Sequence, residues 1–486
     1  MKHLLIPLTT FLCILPCFAA DKPSTPGKPN IVFILADDLG HADVGFSGPD
    51  IKTPNIDRIR AAGAELESFY TLQVCTPSRC ALMTGRYPIR YGRQYNVLRP
   101  NSKVGLSLNE QLLPQGLREA GYATAHVGKW HLGDFDRAYW PMQRGFDHTY
   151  GFVSNHKKTS HLVGAGDLQR DEKPCADEGW LADLYTQEAV RQIEQRDPAK
   201  PLFLYVAYNS PHSPHECPPE YSDPYKNLGP DRSVYAGMIA QMDEGIGRIV
   251  AAVEKAGMRE NTLFVFASDN GGLTAKGDFA RNTPFRAGKG SLYDGGVRVV
   301  ACAAWDGHIP AGSTVKAPLH MVDWYPTFLG LAGASVEQKL PLDGRDAWPA
   351  IAQGKPSPHD VILLNTVGRE GAVRMGDWKL VRNANADDDG EGPAEGAEQK
   401  NRGEKRQDRA TAPDKIELFN IARDLSETND LSATEPERVK ELGARLDVFT
   451  QEAVPPILKP EQDAASSDTT TKTDAPKSKN RKKAKP

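Results

Sequence analysis

Four short apolar runs, at positions 31–35, 122–127, 203–207 and 263–267, each break off into polar or glycine-rich turns. Runs of that length bounded by turn signals predict strands buried on both faces. Helical patterns lie between them. At 54–62 Thr53 supplies a cap and Pro54 takes the first helical position, while 110–120 runs up against Gly121, so both read as crossover helices. Tyr235, Met238, Ile239, Met242, Ile246, Ile249, Val250 and Val253 recur at helical spacing and stop before Gly257, a stripe that faces a core. The alternation is that of an α/β fold.

From 356 onward the pattern changes to short strands at 361–365, 372–375 and 378–381 and a final helix at 435–450, which predicts a smaller α+β unit. Within it, 383–414 holds almost no apolar residue and reads as a flexible solvated insertion. The expected organisation is a leader at 1–20, a main unit at 21–355, the small unit at 356–455 and a basic tail at 456–486. The leader carries Lys2, an apolar run over 4–16 and Phe18-Ala19-Ala20 before Asp21, the layout of a cleavable secretory signal. The mature protein is therefore expected to be exported, periplasmic or secreted. Pro16 ahead of Cys17 speaks against lipid attachment. That run is too short to span a bilayer comfortably, so no stable membrane span is expected.

Charge narrows the partners. The chain has 59 basic and 63 acidic residues, a formal charge of −4, too balanced for a general nucleic-acid binder. From Ala464 on, seven basic residues face two acidic ones, and the tail reads as disordered, with adhesion to an anionic polymer or membrane as the alternative. Removing the leader leaves Cys75, Cys80, Cys175, Cys217 and Cys302. An odd count outside the cytosol asks for a reactive or modified side chain; the other four are either buried and reduced or paired, with Cys175 and Cys217 as the candidate disulfide.

Asp37-Asp38 follow directly on the first strand, and ligands in α/β sheets bind at the carboxyl ends of strands. Adjacent carboxylates repel unless solvated or held by a cation. Asp269-Asn270-Gly271-Gly272 repeats the arrangement after the strand at 263–267. Three carboxylates and an amide oxygen are hard ligands that suit calcium or magnesium, with calcium favoured, and no zinc-type His/Cys cluster accompanies them. Cys75-Thr76-Pro77-Ser78-Arg79 opens a helical segment ending at Gly85, which places the Cys near a helix N-terminus, where anions and thiolates are favoured. By itself that pentapeptide also fits an ordinary turn leading into a helix. Gly128-Lys129-Trp130-His131, Ser210-Pro211-His212 and Arg286-Ala287-Gly288-Lys289-Gly290 add cations and titratable groups, together enough to bind and process a tetrahedral anion.

The stretch Cys75-Thr76-Pro77-Ser78-Arg79-Cys80-Ala81-Leu82-Met83-Thr84-Gly85-Arg86 resembles the signature of the formylglycine-dependent sulfatases. Asp37-Asp38, Gly128-Lys129-Trp130-His131, His212, Asp269-Asn270-Gly271-Gly272, Gly288-Lys289-Gly290 and Leu418-Phe419-Asn420-Ile421 follow in the family's order. Tyr87-Pro88-Ile89-Arg90-Tyr91-Gly92, Tyr235-Ala236-Gly237-Met238 and Met242-Asp243-Glu244 are most similar to arylsulfatase B-type members, the N-acetylgalactosamine-4-sulfatases. The resemblance implies an alkaline-phosphatase-like α/β core, a mixed central sheet flanked by helices, with a small C-terminal α+β subdomain closing over the site.

It also implies roles. A formylglycine-generating enzyme would oxidise Cys75 to formylglycine, whose hydrate has one oxygen to attack sulfur and a second to expel sulfate. Asp37, Asp38, Asp269 and Asn270 would hold calcium together with the group at position 75. Arg79 and Lys129 would hold the diol, Lys289 the sulfate oxygens, His131 would take a proton from the second hydroxyl, and His212 would protonate the departing sugar oxygen. The implied substrates are 4-O-sulfated galactose or N-acetylgalactosamine in a sulfated polysaccharide or glycosaminoglycan. Ser213-Pro214 after His212, where these relatives tend to carry an acidic residue, and the glycines around Lys289 alter the pocket rim. The alternatives are a phosphonate or phosphodiester hydrolase on the same core and a non-catalytic glycan-binding protein. A metal-dependent phosphatase is disfavoured because such enzymes use Ser or Thr with transition metals.

Overall fold

The computed structural model describes residues 27–95, 97–98, 102–153, 160–274, 279–384 and 413–457. The leader at 1–20, nearly all of the insertion at 383–414 and the tail from 458 lie outside the described residues.

The core is a ten-stranded sheet of β1 (Asn30–Ala36), β2 (Ala64–Leu66), β4 (Ala123–Lys129), β5 (His148–Phe152), β7 (Gln169–Arg170), β8 (Lys173–Pro174), β10 (Leu202–Ala207), β11 (Thr262–Ser268), β12 (Ala301–Ala304) and β13 (Ser313–Val315). Two-stranded pairs β3 (Phe69–Tyr70) with β14 (Leu319–His320) and β6 (Leu162–Val163) with β9 (Gly179–Trp180) flank it. The spatial order is β13-β2-β12-β11-β1-β10-β4-β5-β7-β8. The centre, β11-β1-β10-β4-β5, is parallel, and β12 and β7 add antiparallel neighbours, so the sheet is mixed.

Parallel strands are covered on both faces, and successive side chains of β1 show it. Ile31, Phe33 and Leu35 enter one core with the helices α2 (Cys75–Thr84), α3 (Leu113–Glu119) and α8 (Trp324–Leu331), while Val32, Ile34 and Ala36 enter the other. That second core takes α1 (Pro54–Ala62), α4 (Leu181–Glu194) and α6 (Pro230–Lys255). All eight residues of the predicted α6 stripe are buried.

Two expectations shift. The helix expected over 110–120 spans only Leu113–Glu119, since Leu112 is extended and serves as its cap ahead of Pro114. The strand expected at 122–127 runs on to Lys129, so Lys129 ends a strand rather than sitting in the following loop. The short helices α5 (Pro219–Ser222), α7 (Asp294–Val297) and α9 (Trp348–Gln353) complete this part.

A four-stranded antiparallel sheet follows, β15 (Ile362–Val367), β16 (Glu370–Met375), β17 (Trp378–Arg382) and β18 (Ile416–Asn420), backed by α10 (Pro436–Glu452). One face buries Leu363, Val373, Leu380 and Leu418 with Leu442 and Leu446 of α10, continuous with the first core. The other packs Ile362, Leu364, Val381 and Phe419 onto Tyr70, Tyr293 and Val297. All five cysteines beyond the leader are free. The expected 175–217 disulfide is not made: Cys175 Sγ faces Leu168 O at 3.4 Å and Cys217 Sγ faces Val234 O at 3.7 Å.

Candidate active site

The carboxyl ends of β11, β1, β10 and β4 lie side by side, and each delivers part of one site. β1 is followed directly by Asp37-Asp38, with Asp38 turned into the left-handed region at φ 65°. Asp269-Asn270 follow β11, Lys129 closes β4, and His212 follows β10. Cys75 is the first residue of α2, 1% exposed, and Gly85 in the left-handed conformation caps that helix. Lys289 arrives on the loop ahead of α7. All ten residues named from the sequence are buried here.

Three cations face three carboxylates. Lys129 Nζ lies 2.6 Å from Asp37 Oδ2, Lys289 Nζ 2.8 Å from Asp38 Oδ2 and Arg79 Nη2 2.8 Å from Asp269 Oδ2. Arg79 also donates through Nη1 to Lys129 O at 3.1 Å and lies 3.6 Å from Asp37 Oδ1. Cys75 Sγ is 3.2 Å from Asp37 Oδ1 and 3.6 Å from Asp38 Oδ1. Burial opposes the charge on Asp37, but Lys129, His212 and Arg79 together hold it well below the usual carboxylate range. Burial and Asp37 push Asp269 up to about 7 against the pull of Arg79. Burial works against Lys289 as well, yet Asp38 keeps its ammonium well above the ordinary value.

The thiol behaves differently from the sequence expectation. A helix N-terminus favours a thiolate, but burial, Asp269 and Asp37 push Cys75 well above its usual value. Burial and the carboxylates outweigh the helix, and Cys75 in this setting is a neutral thiol.

Possible metal donors converge on the same point. Donor atoms of Asp37, Asp38, Cys75 and His212 lie within 4.8 Å of one another. Asn270 Nδ2 donates to Asp38 Oδ1 at 2.7 Å and Gly271 O at 2.9 Å, while its buried Oδ1 has no hydrogen-bond partner. Asp269 lies outside that four-residue set, with Oδ1 accepting from Asp38 N at 3.2 Å and Oδ2 held by Arg79. A buried amide oxygen without a donor among carboxylates is a place for a hard divalent cation.

The two histidines are set up as opposites. His131 Nε2 contacts Leu98 O at 2.6 Å and its buried Nδ1 has no partner. With Nε2 donating to the carbonyl, Nδ1 is an open acceptor, and burial, Lys129 and Arg79 hold the ring neutral. His212 Nδ1 contacts Ser213 O at 2.6 Å and Nε2 faces Asp38 Oδ2 at 3.6 Å. Burial lowers its pKa while Asp38 resists.

The profile of the family described as Sulfatase matches residues 29–334. The chain belongs to the sulfatase family. Arylsulfatase J of Mus musculus is 35% identical over 464 residues, covering 88% of this chain and 77% of that protein. N-acetylgalactosamine-6-sulfatase of Mus musculus is 34% identical, covering 76% of this chain and 74% of its own length. Among solved structures, Ps i-CgsB in complex with k-i-k-neocarrahexaose is similar at a TM-score of 0.77 with 34% identity, over 90% of this sulfatase and 95% of that chain. The protein is thus a type I sulfatase, a sulfuric ester hydrolase, on an alkaline-phosphatase-like core.

Three buried residues at the edge of this sulfatase's site were not singled out from the sequence: Asp294, Lys379 and Glu427. Asp294-Gly295-Gly296 repeats the Asp-then-glycine pattern of 269–272, a signal that was available. Lys379 lies among the apolar Trp378, Leu380 and Val381 of β17, and Glu427 carries no local signal.

Proposed function

We propose that this sulfatase hydrolyses sulfate esters of carbohydrates through a formylglycine that a formylglycine-generating enzyme makes from Cys75. The observation that carries the reading is the Cys75 setting: a neutral thiol 3.2 Å from Asp37, ringed by Arg79, Lys129 and Lys289. A thiolate nucleophile has no support there, whereas an oxygen at the Sγ position meets carboxylates, cations and the free oxygen of Asn270. Asp37, Asp38, Asp269 and Asn270 would hold calcium. The cation supplies Lewis-acid polarisation of a sulfate oxygen, and the hydrated formylglycine supplies the attacking hydroxyl.

The chain's own groups do the rest. Lys129 and Arg79 stabilise negative charge at the position-75 oxygen, and Lys289 neutralises the sulfate oxygens. His131 accepts a proton at Nδ1. His212 donates one from Nε2 to the departing sugar oxygen, a poor leaving group as an alkoxide.

The substrate class is 4-O-sulfated galactose or N-acetylgalactosamine of a sulfated polysaccharide or glycosaminoglycan. A carbohydrate is supported by the neocarrahexaose bound to the solved relative and by the sugar in the curated relative's name. That relative is named for the 6-position, so the 4-position rests on the resemblance of 87–92, 235–238 and 242–244. The leader at 1–20 makes the protein exported, with the main unit at 21–355, the small unit at 356–455 and the tail at 456–486.

The test is a peptide mass spectrum across Cys75 of natively exported protein, followed by assays on 4- and 6-sulfated sugars with phosphodiesters as controls. An aldehyde or its hydrate with release of sulfate from the 4-sulfated sugar is expected. An unmodified thiol in active protein refutes the proposed chemistry.

A further inference from the structure

Lys289 and Asn270 stand on one shelf of closely packed backbone. Gly271 N donates to Gly296 O at 3.0 Å, Lys289 N to Gly272 O at 3.1 Å and Gly295 N to Arg286 O at 2.9 Å. A Cβ on Gly271 would lie 1.8 Å from Gly295 O, so glycine is required for the two loops to approach. Nothing in this shelf is a long regular element, and its position has to be set from outside.

Asp294, the first residue of α7, is where it is held. Its carboxylate is fully buried and accepts from Lys379 Nζ at 2.6 Å and Tyr70 OH at 3.1 Å, with Arg298 Nη1 at 3.4 Å. Its backbone N–H donates to Glu427 Oε2 at 2.6 Å, and Lys379 Nζ is 2.7 Å from Glu427 Oε1. Arg374 Nη1 reaches the same Tyr70 hydroxyl at 2.6 Å. Lys379 comes from β17, Arg374 from β16 and Glu427 from the turn after β18, so the small sheet and its following turn supply the closest charged contacts of Asp294, while Arg298 lies four residues along its own segment. Glu427 is moreover a non-glycine residue at φ 49°, its carbonyl held by Arg286 Nη1 at 2.9 Å. Backbone in that region persists only where its surroundings impose it. Buried ion pairs are a poor source of stability compared with apolar packing, and one of their uses is to fix one arrangement.

We propose that Lys379 and Glu427 are positioning residues of the active site: through Asp294 they set the shelf that presents Lys289 to the sulfate and Asn270 to the cation. This rests on the roles proposed above for Lys289 and Asn270. The β15–β18 sheet thereby takes part in catalysis without touching substrate.

The test uses Lys379→Met in the full-length protein, with calcium affinity measured by titration calorimetry and inorganic sulfate measured as a competitive inhibitor of aryl sulfate turnover. Partners that orient metal ligands are worth about 10- to 100-fold in affinity, so a loss of at least about tenfold in calcium affinity and a matching rise in the sulfate inhibition constant are expected, with unchanged circular dichroism. Glu427→Gln, uncharged and of the same shape, is measured in parallel and carries the test if Lys379→Met does not fold. A folded variant with a lower melting temperature but wild-type calcium affinity and sulfate inhibition overturns the proposal, because that is what a purely structural pair gives. Wild type and variants are compared in the same modification state of residue 75, so the change in calcium affinity is read independently of that chemistry. An unmodified Cys75 with the calcium effect intact therefore overturns the proposed chemistry alone, and an aldehyde with no calcium effect overturns the positioning role alone.

Discussion

Replacing His212 by alanine separates leaving groups. Nδ1 contacts Ser213 O at 2.6 Å and so carries its proton, which leaves Nε2, 3.6 Å from Asp38 Oδ2, as the titrating atom. An alkoxide leaving from a sugar needs that proton in the transition state, whereas an acidic phenol departs without it. General acid catalysis contributes about 100- to 10,000-fold, or about 2.7–5.4 kcal/mol of barrier. H212A is expected to lower kcat/KM by that factor on a sulfated monosaccharide and by less than about tenfold on a nitrophenyl sulfate. The pH profile follows from the same geometry. The gross attraction of Asp38 across 3.6 Å is about 5 kcal/mol at an effective dielectric of about 20, yet burial and Lys289 prevail and His212 titrates below its ordinary range. Wild-type kcat/KM on the sugar therefore falls about tenfold per pH unit on the alkaline side, and this limb is absent in the variant. Initial rates on both esters across pH provide the assay. Equal losses on the two ester classes, or an alkaline limb that survives in H212A, would refute the assignment.

Cys75→Ala is expected to keep its fold by circular dichroism while turnover drops by at least about 1,000-fold; near-normal activity in a sulfate-release assay removes the formylglycine route. Asp269, pushed up to about 7, holds a proton near neutrality in the calcium-free protein, and cation binding displaces it. Calcium affinity by calorimetry is thus expected to fall about tenfold per pH unit below about pH 7, and a pH-independent affinity contradicts this. Since the folded pKa is raised from 3.8, the stability Asp269 contributes without calcium is complete below that value. It is lost as pH rises through about 7, which chemical denaturation in chelator detects. Phe33, fully buried against Tyr205, Trp324 and Phe328, is expected to cost about 3–5 kcal/mol as Phe33→Ala, read from the same denaturation curves.

Much of this protein is decided locally. Short apolar runs ending in Asp37-Asp38, Asp269-Asn270 and Ser210-Pro211-His212 produce strands with chemistry at their carboxyl ends, because side-chain period and turn residues act over a few positions. The strands whose ends meet in the site were legible for that reason. Boundaries were less so: Lys129 proved to be a strand residue, and the helix before Gly121 was shorter than its pattern, since pairing with β10 and β5 extends one and the extended Leu112 delays the other.

What no window of sequence contains is the pairing of distant charges. The neutral state of Cys75 comes from burial, Asp269 and Asp37, and the oxygen of Asn270 is left unpartnered while its amide nitrogen donates to Asp38 and Gly271 O. The absence of a 175–217 disulfide is likewise a matter of where two thiols come to lie. Asp294 meets Lys379 and Glu427 from a sheet that follows it in the chain. Sequence determined which groups were present and on which strand ends they stood. Their ionisation, their partners and the hold of the small sheet on the catalytic shelf were decided by the tertiary structure, because electrostatic interaction depends on distance and burial, and the fold alone sets both.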